Sequence, residues 1–291
     1  MIRQAQSNDK ETIVTMIGEG MLWRTEEIGD IVEKATVYIW EEADQIIGCG
    51  TYDLNSSGED GTAEIYVYTR PDHRKRGIGS RLFDKLWLEL QQHEEKPTAV
   101  MATYRVDHGQ GADFFAKRGF SSIWGHHLMK YTGEIGPAPT LDVRKFTESD
   151  MDMYIQSQSD AYYEVRKGID LQPYRLADYP EKTMNAWKKW LRNDMREDIY
   201  IFEHEGVFVG SLIITGHGEV YDVFVDPVHQ GKGYGKELVR FFVNRTLEKG
   251  LKPYLVTGTH NEPAIALYER TGFQTFQTTT TAKRDFGVIH S

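Results

Sequence analysis

The chain repeats itself. IRQAQSND (Ile2–Asp9) returns as VRKFTESD (Val143–Asp150), an offset of 141. Two glycine turns match at an offset of 156, Gly77 with Gly233 and Gly79 with Gly235. AKRGF (Ala116–Phe120) matches ERTGF (Glu269–Phe273) at 153. Three matches in the same order mean a duplicated domain. Each half of the 291 residues is long enough to bury its own core. TGEIGPAPT (Thr132–Thr140) is rich in Gly and Pro and has no apolar period, so it reads as a linker. The expected domains are therefore 1–131 and 141–291, joined by 132–140. The rise in offset from 141 to 156 places about fifteen extra residues early in the second copy.

Both copies show one order of elements. A short strand leads to a helix start of the Ser/Thr–Asp kind, SNDKETIVTMI or TESDMDMYI. The second copy adds YPEKTMNAWKKWLRND, on which Met184, Trp187 and Leu191 share a helical face. Three strands follow, then the glycine turn, an amphipathic helix, a strand, a helix and terminal strand material. Hairpins mixed with strand–helix crossovers predict an α+β fold with a mixed sheet, not a regularly alternating one.

A net charge of −10 argues against a nucleic-acid-binding partner, which needs a basic face, and permits a cationic substrate. No stretch reaches the ~18 apolar residues of a membrane span, and the N-terminus lacks a signal-like apolar core. A cytoplasmic protein without a membrane partner is expected. The single cysteine, Cys49, lies in the apolar run QIIGCGTY and is expected to be a buried strand thiol. His108, His126 and His127 lack a matching carboxylate or cysteine cluster, so no metal is expected.

The turn VDPVHQGKGYGKELV (Val225–Val239) follows a strand and opens a helix. Unpaired N–H groups at a helix start favour phosphate, and glycine lets the backbone come close to a ligand. The same turn also suits plain chain geometry. Two familiar nucleotide loops fail. A P-loop would need Ser or Thr after Lys236, where Glu237 stands, and a dinucleotide fingerprint would need Gly where Lys236 stands.

A third pattern fits. Val225, Pro227, Gln230, Gly233 and Gly235 form the string Q/R-x-x-G-x-G/A after a strand ending V-x-P. NEPAIALYERTGF supplies Asn261, Ala264, Leu267, Tyr268, Gly272 and Phe273 at a second fixed spacing. The two together resemble the pyrophosphate loop and second motif of the GNAT superfamily, N-acetyltransferases that use acetyl-CoA. In the first copy the loop residues are Arg74, Gly77 and Gly79 after Pro71. The resemblance covers essentially the whole chain, one GNAT-like domain per half. It implies a mixed, mostly antiparallel twisted sheet flanked by helices, splayed after its fourth strand, with acetyl-CoA in the opening. The tandem arrangement resembles that of the mycothiol synthase members, whose second domain is the active one.

The resemblance also implies roles. Residues Gln230, Gly231, Lys232, Gly233, Tyr234, Gly235 and Lys236, with Asn261 and Ala264, would hold the cofactor. The backbone of Phe224 and Val225 would bind the thioester and pantetheine arm. Tyr268 stands at the family's tyrosine position and is the candidate general acid. An amine acceptor must lose a proton before it attacks, so a base is required. EVYDVFVDP offers Glu219 and Asp222, which face opposite sides of a regular strand unless a bulge intervenes. Glu219 is preferred, eleven residues before Gln230. Either carboxylate also suits an ordinary solvated or salt-bridged role.

The first copy is worn. Counting back from Gly119-Phe120 puts Phe115 at the tyrosine position, His108 at the asparagine and Gly111 at the alanine. Ala63 falls opposite Glu219, with Glu64 adjacent. Arg74 and Arg76 with Gly77 and Gly79 could still grip phosphate. The expectation is a catalytic second domain beside a degenerate first. In the second copy Tyr162, Tyr163, Asp170, Tyr174 and Asp178 suit an amine with an apolar body, or else are core aromatics and solvated charges. The resemblance implies an amine-bearing small molecule or peptide as the acceptor. A non-catalytic CoA sensor or scaffold, or use of another acyl-CoA, is the alternative.

Overall fold

The computed structural model describes residues 1–21, 25–54, 61–107 and 111–287. The elements run β1 (Ile2–Gln4), α1 (Lys10–Gly20), α2 (Thr25–Lys34), β2 (Thr36–Glu42), β3 (Gln45–Leu54), β4 (Thr62–Thr69), α3 (Ile78–Gln92), β5 (Ala99–Arg105), α4 (Gly111–Ala116) and β6 (Ser121–Tyr131). The second pass is β7 (Asp142–Lys145), α5 (Met151–Gly168), α6 (Glu181–Asn193), β8 (Ile199–His204), β9 (Val207–Ile214), β10 (Glu219–Val225), α7 (Tyr234–Glu248), β11 (Tyr254–Gly258), α8 (Glu262–Arg270) and β12 (Phe273–Asp285). This is the α+β tandem expected. The first copy has a second helix of its own, α2. The extra residues of the second copy instead lengthen α5 to 18 residues against 11 in α1 and extend the connection to α6.

The chain folds as two compact units, Met1–Gly125 with Gln277–Ser291, and His126–Phe276. These do not follow a cut at 131. In the first unit the strand order is β1-β2-β3-β4-β5-β12, and β12 pairs antiparallel with β5 from Thr279↔Arg105 to Asp285↔Ala99. In the second it is β6-β11-β10-β9-β8-β7, and β6 pairs antiparallel with β11 from His126↔Gly258 to Lys130↔Tyr254. The last strand of each sequence repeat thus completes the sheet of the other. Residues 132–140 are strapped to α7: the Gly136 N–H donates to Asn244 Oδ1 at 3.0 Å and the Thr140 N–H to Glu237 Oε2 at 2.8 Å.

Each sheet is covered on both faces, which is why IYIF and VFVGSLII read as continuous apolar runs and not as alternation. In the second unit Leu238, Phe242 and Leu255 close one face, and Tyr154, Leu191, Ile201 and Phe224 the other. The first unit does the same with Leu82, Leu86 and Val100 on one side and Ile13, Ile17 and Ile39 on the other, where Cys49 is also buried. Truncating a fully buried leucine such as Leu238 to alanine costs about 2–5 kcal/mol.

The helix start after β1 or β7 is fixed by an ion-pair trio that occurs twice. Arg3 pairs with Asp9 at 2.7 Å and Glu41 at 2.8 Å; Arg144 pairs with Asp150 at 2.7 Å and Glu203 at 2.9 Å. Each aspartate also accepts the N–H of the residue three before it, Gln6 or Thr147, at 2.7 Å. The repeated strings Arg–x5–Asp therefore encode a strand-to-helix corner.

Candidate active site

The sheet of the second unit opens along β10. Its parallel pairing with β11 ends at Val220↔Leu255, while β10 runs on to Val225. In the first unit β4 parts from β5 after Ile65↔Ala102 and runs on to Thr69. Pairing with β9 decides which backbone groups face the opening. The Asp226 N–H donates to Val209 O at 3.0 Å, and Phe224 stands in register with Ser211. Alternation then turns the groups of Phe224 toward β9 and those of Val223 and Val225 toward the open edge. Phe224, expected at the edge, thus turns its backbone groups to β9, and Val223 turns its own to the opening.

The glycine turn sits at the end of that edge. Gly231 and Gly233 have φ of 75° and 89°, and no atom lies within 4 Å of where a Cβ would stand on either. Gly233 caps α7 without a side-chain bond, so the first N–H groups of the helix are free to meet an anion. Lys232 and Lys236 are exposed beside them, and Tyr234 is partly buried with its ring 5.6 Å from His204. At Gly235 a Cβ would stand 3.1 Å from Leu267 Cδ2, so glycine there serves the packing of α7 on α8. Gln230 has a job the motif did not disclose. Its Nε2 donates to Val225 O at 3.1 Å, stapling the turn to the strand end. Arg74 does the same in the first unit through Nε to Thr69 O at 3.1 Å. There Gly77 caps α3 at φ 80°, and Arg76 is drawn to Glu42 at 2.8 Å. A cavity of about 280 Å³ adjoins this first turn, lined by Gly77, Gly79, Tyr66, Tyr104, Phe114 and Phe115.

A bulge at Tyr221 arranges the carboxylates. Val220 pairs with Ile214 but Asp222 with the adjacent Ile213, so one extra residue stands in β10. Val220 faces the α7 core, whereas Phe224 packs under α5. The extra residue therefore puts Glu219 and Asp222 on the same face. Glu219 is partly buried and accepts from the Tyr254 hydroxyl at 3.4 Å. Asp222 is buried under α5. Its Oδ1 accepts from Tyr162 at 2.6 Å; its Oδ2 accepts from Tyr154 at 2.9 Å and from the Gln158 amide. Burial pushes the Asp222 carboxyl above its ordinary value, and the bonds from Tyr162, Tyr154 and Gln158 pull against that.

The bulge also corrects the comparison of the two copies. β4 pairs with β3 without interruption from Ala63 to Thr69. Matched by pairing, Glu64↔Met101 and Ile65↔Ala102 correspond to Glu219↔Tyr254 and Val220↔Leu255. The counterpart of Glu219 is Glu64, not Ala63.

Tyr268 lies on α8 and is 7% exposed, edge-on to Phe273 at 6.0 Å between ring centres. Burial, and then the Asp222 charge, hold its hydroxyl far above the ordinary tyrosine value. Asn261 caps α8, its Oδ1 accepting from the Ala264 N–H at 3.4 Å. Phe115, at the place of Tyr268 in the first unit, is buried and stacked on Tyr104 at 5.1 Å. His108 lies outside the described residues.

Of the residues expected to wall the acceptor, Tyr162 belongs to the Asp222 cluster. Tyr163 and Tyr174 meet edge-on at 6.4 Å, Tyr174 donates to Asp170, and the Arg175 guanidinium lies 4.5 Å over the Tyr163 ring. Asp178 closes a short 3-10 turn. Sequence reasoning missed Tyr221, which is 60% exposed and lies 5.4 Å from Trp190 of α6. Among the described residues no three His, Cys, Asp or Glu side chains converge to hold a metal, and no helix is long and apolar enough to cross a membrane.

Known proteins resemble both halves of the chain. Residues 161–273 match the acetyltransferase (GNAT) family model and residues 33–122 a second GNAT domain model. A mycothiol acetyltransferase from Saccharomonospora viridis is 42% identical over 74% of this chain and 72% of its own length. One from Catenulispora acidiphila is 24% identical over 92% of this chain and 89% of its own. A solved GCN5-related N-acetyltransferase from Sphaerobacter thermophilus covers 98% of this chain and 95% of its own, with a TM-score of 0.72 at 16% identity.

Proposed function

The chain belongs to the GNAT family of acetyltransferases, with two such domains in tandem, and we propose that its second unit moves acetyl from acetyl-CoA to an amine. The observation that carries this reading is the coincidence, in one unit, of an open strand edge, a glycine turn free of obstruction, a bulge-placed carboxylate and a buried tyrosine. The edge at Val223 and Val225 suits the amides of a pantetheine arm, and the turn at Gly231–Gly235 with Lys232 and Lys236 suits a pyrophosphate.

We assign the proton transfers within this frame. Glu219 takes the proton that an amine must lose; the nitrogen then bonds to the acyl carbon as the carbon–sulfur bond breaks. Tyr268 gives its proton to the leaving thiolate. Asp222 is the poorer base, since three donors already occupy its two oxygens. The first unit has the turn, the staple and Glu64 but neither the bulge nor a tyrosine at Phe115. We read it as a unit that holds CoA without turnover.

The setting of Glu219 supports a reading of the acceptor class. Tyr221 and Trp190 present aromatic surface beside it, which suits an amine carried on an apolar body. The mycothiol acetyltransferases among the relatives make a small-molecule acceptor the first to try. The test is thiol release from acetyl-CoA with a pool of primary amines. Sustained turnover supports the reading. Binding of acetyl-CoA without turnover on any amine would favour a sensor or scaffold.

A further inference from the structure

The polar cluster around Asp222 is not required by the fold. Tyr154, Gln158 and Tyr162 follow one another at four-residue steps, so they form one stripe on α5. At the 141 offset set by the matched Asp9 and Asp150 corners, their counterparts on and after α1 are Ile13, Ile17 and Met21. All three are buried, and Tyr66 stands in the place of Asp222. The first unit therefore packs the same helix on the same strand with apolar side chains at all three stripe positions and no carboxylate among them; the polar contact it makes there lies elsewhere, from the Tyr68 hydroxyl to Glu19 at 3.2 Å, and its strand has no bulge.

The second unit retains an expensive arrangement there. No cationic side chain pairs with Asp222 among the described residues, although it is buried. Gln158 gives its Nε2 to that carboxylate and leaves its own buried Oε1 without a partner. Buried polar groups of this kind lower stability relative to an apolar core of the same shape. A cluster that costs stability, and that occurs only beside the bulge and Tyr268, needs a reason outside folding.

That reason is visible at Val223. The Tyr162 hydroxyl, 2.6 Å from Asp222 Oδ1, also lies 3.2 Å from the Val223 carbonyl. This carbonyl faces the open edge, where β11 no longer supplies a partner. We propose that Tyr162 and Asp222 are positioning residues for acyl transfer: with Tyr154 and Gln158 they clamp α5 to β10 at Val223 and fix the edge against which the thioester lies. The inference rests on the acetyl-transfer reading. Misplacing reacting groups by about 1 Å is enough to cost about 10²-fold in rate, so a clamp on one peptide group is consequential.

The experiment compares Tyr162→Phe, Tyr154→Phe, Gln158→Leu and Asp222→Asn with the wild-type chain. Acetyl-CoA affinity is measured by calorimetry, the carbonyl stretch of bound acetyl-CoA carrying carbon-13 at its carbonyl by infrared difference, and kcat and KM across pH on an amine acceptor. Tyr162→Phe is expected to lower kcat about tenfold or more, with a smaller change in the KM for acetyl-CoA. Its carbonyl band should shift toward that of free acetyl-CoA, and the acid limb of kcat/KM should stay in place. Tyr154→Phe and Gln158→Leu, which do not touch Val223, should lower kcat less; they also keep the test alive if one variant fails to fold. A wild-type kcat and carbonyl band in Tyr162→Phe overturns the proposal. So does loss of the acid limb in Asp222→Asn, because Asp222 would then be the base. Failure of the wild-type chain to bind acetyl-CoA is a separate outcome, seen before any variant is made, and it overturns the acetyl-transfer reading itself.

Discussion

Glu64 and Glu219 hold the same station in their two sheets, each one pair before the last rung on which the sheet stays closed. Measured from the turns they seem a residue out of step, because Tyr221 is inserted after Val220 and nothing is inserted after Ile65. The first unit therefore retains a carboxylate at this station. What separates the two units is the bulge, the cluster around Asp222, and Phe115 in place of Tyr268.

Glu219→Gln should lower kcat by about 10²–10⁴-fold and remove the acid limb of the pH–rate profile, because the amide cannot take a proton. Glu64→Gln should leave turnover essentially unchanged. Equal losses in the two variants would contradict catalysis in the second unit. Steady-state rates between pH 5 and pH 9 on one amine acceptor decide it.

Replacing Tyr268 with phenylalanine keeps the ring that packs on Phe273 and removes the proton. The expected outcome is a fall in kcat of about 10² with little change in the KM for either substrate. The reciprocal change, Phe115→Tyr, should create no second active site, since β4 lacks the bulge. Single-turnover thiol release separates this effect on chemistry from one on product departure.

A carboxylate placed at Gly233 would repel a pyrophosphate and would need φ near 89° from a residue that disfavours it. Gly233→Asp should abolish turnover and remove one acetyl-CoA site from a calorimetric titration. Gly77→Asp should spare turnover and remove the second site, that of the first unit; an unchanged stoichiometry would show that the first unit does not hold CoA. Retained turnover in Gly233→Asp would overturn the reading of the second turn.

Asp222 gives a pH dependence with a definite sign. Its carboxyl is raised in the folded chain by burial, so between its unfolded value and the raised one the native state binds more protons than the unfolded state. Its contribution to stability is thus fully present below the unfolded value and is lost as pH rises through the folded one. Asp222→Asn has no such term. The Tm of the wild type relative to that variant should rise as pH is lowered from 7 toward 4, and a difference constant with pH would show that Asp222 is not raised.

What could be read from the sequence was local. The repeat, the turn at Gly231–Gly235 and the run from Asn261 to Phe273 are short strings whose spacing carries their geometry. The bulge left no such trace, because nothing in EVYDVFV marks Tyr221 as the extra residue. Hence counting back from the turn matches Ala63 to Glu219, where the pairing matches Glu64. The stripe Tyr154, Gln158 and Tyr162 has helical spacing that a helical projection shows, but its meaning depends on a partner sixty residues away in sequence, Asp222. Pairing between distant strands was equally silent. TGEIGPAPT reads as a free linker until Asn244 and Glu237 are seen to hold it.

The way β12 completes the first sheet bears on how the protein is made. Synthesis delivers Met1–Gly125 long before Thr279–Asp285, so the nascent first unit leaves the ribosome with β5 as a bare edge. Such an edge invites pairing with other chains. A fragment ending at 131 would carry that exposed edge permanently and would bring β6 without its partner β11. The two halves are thus duplicates in ancestry that exchange strands in the fold, and loss of Thr279–Asp285 would be felt first in the unit that carries Met1–Gly125.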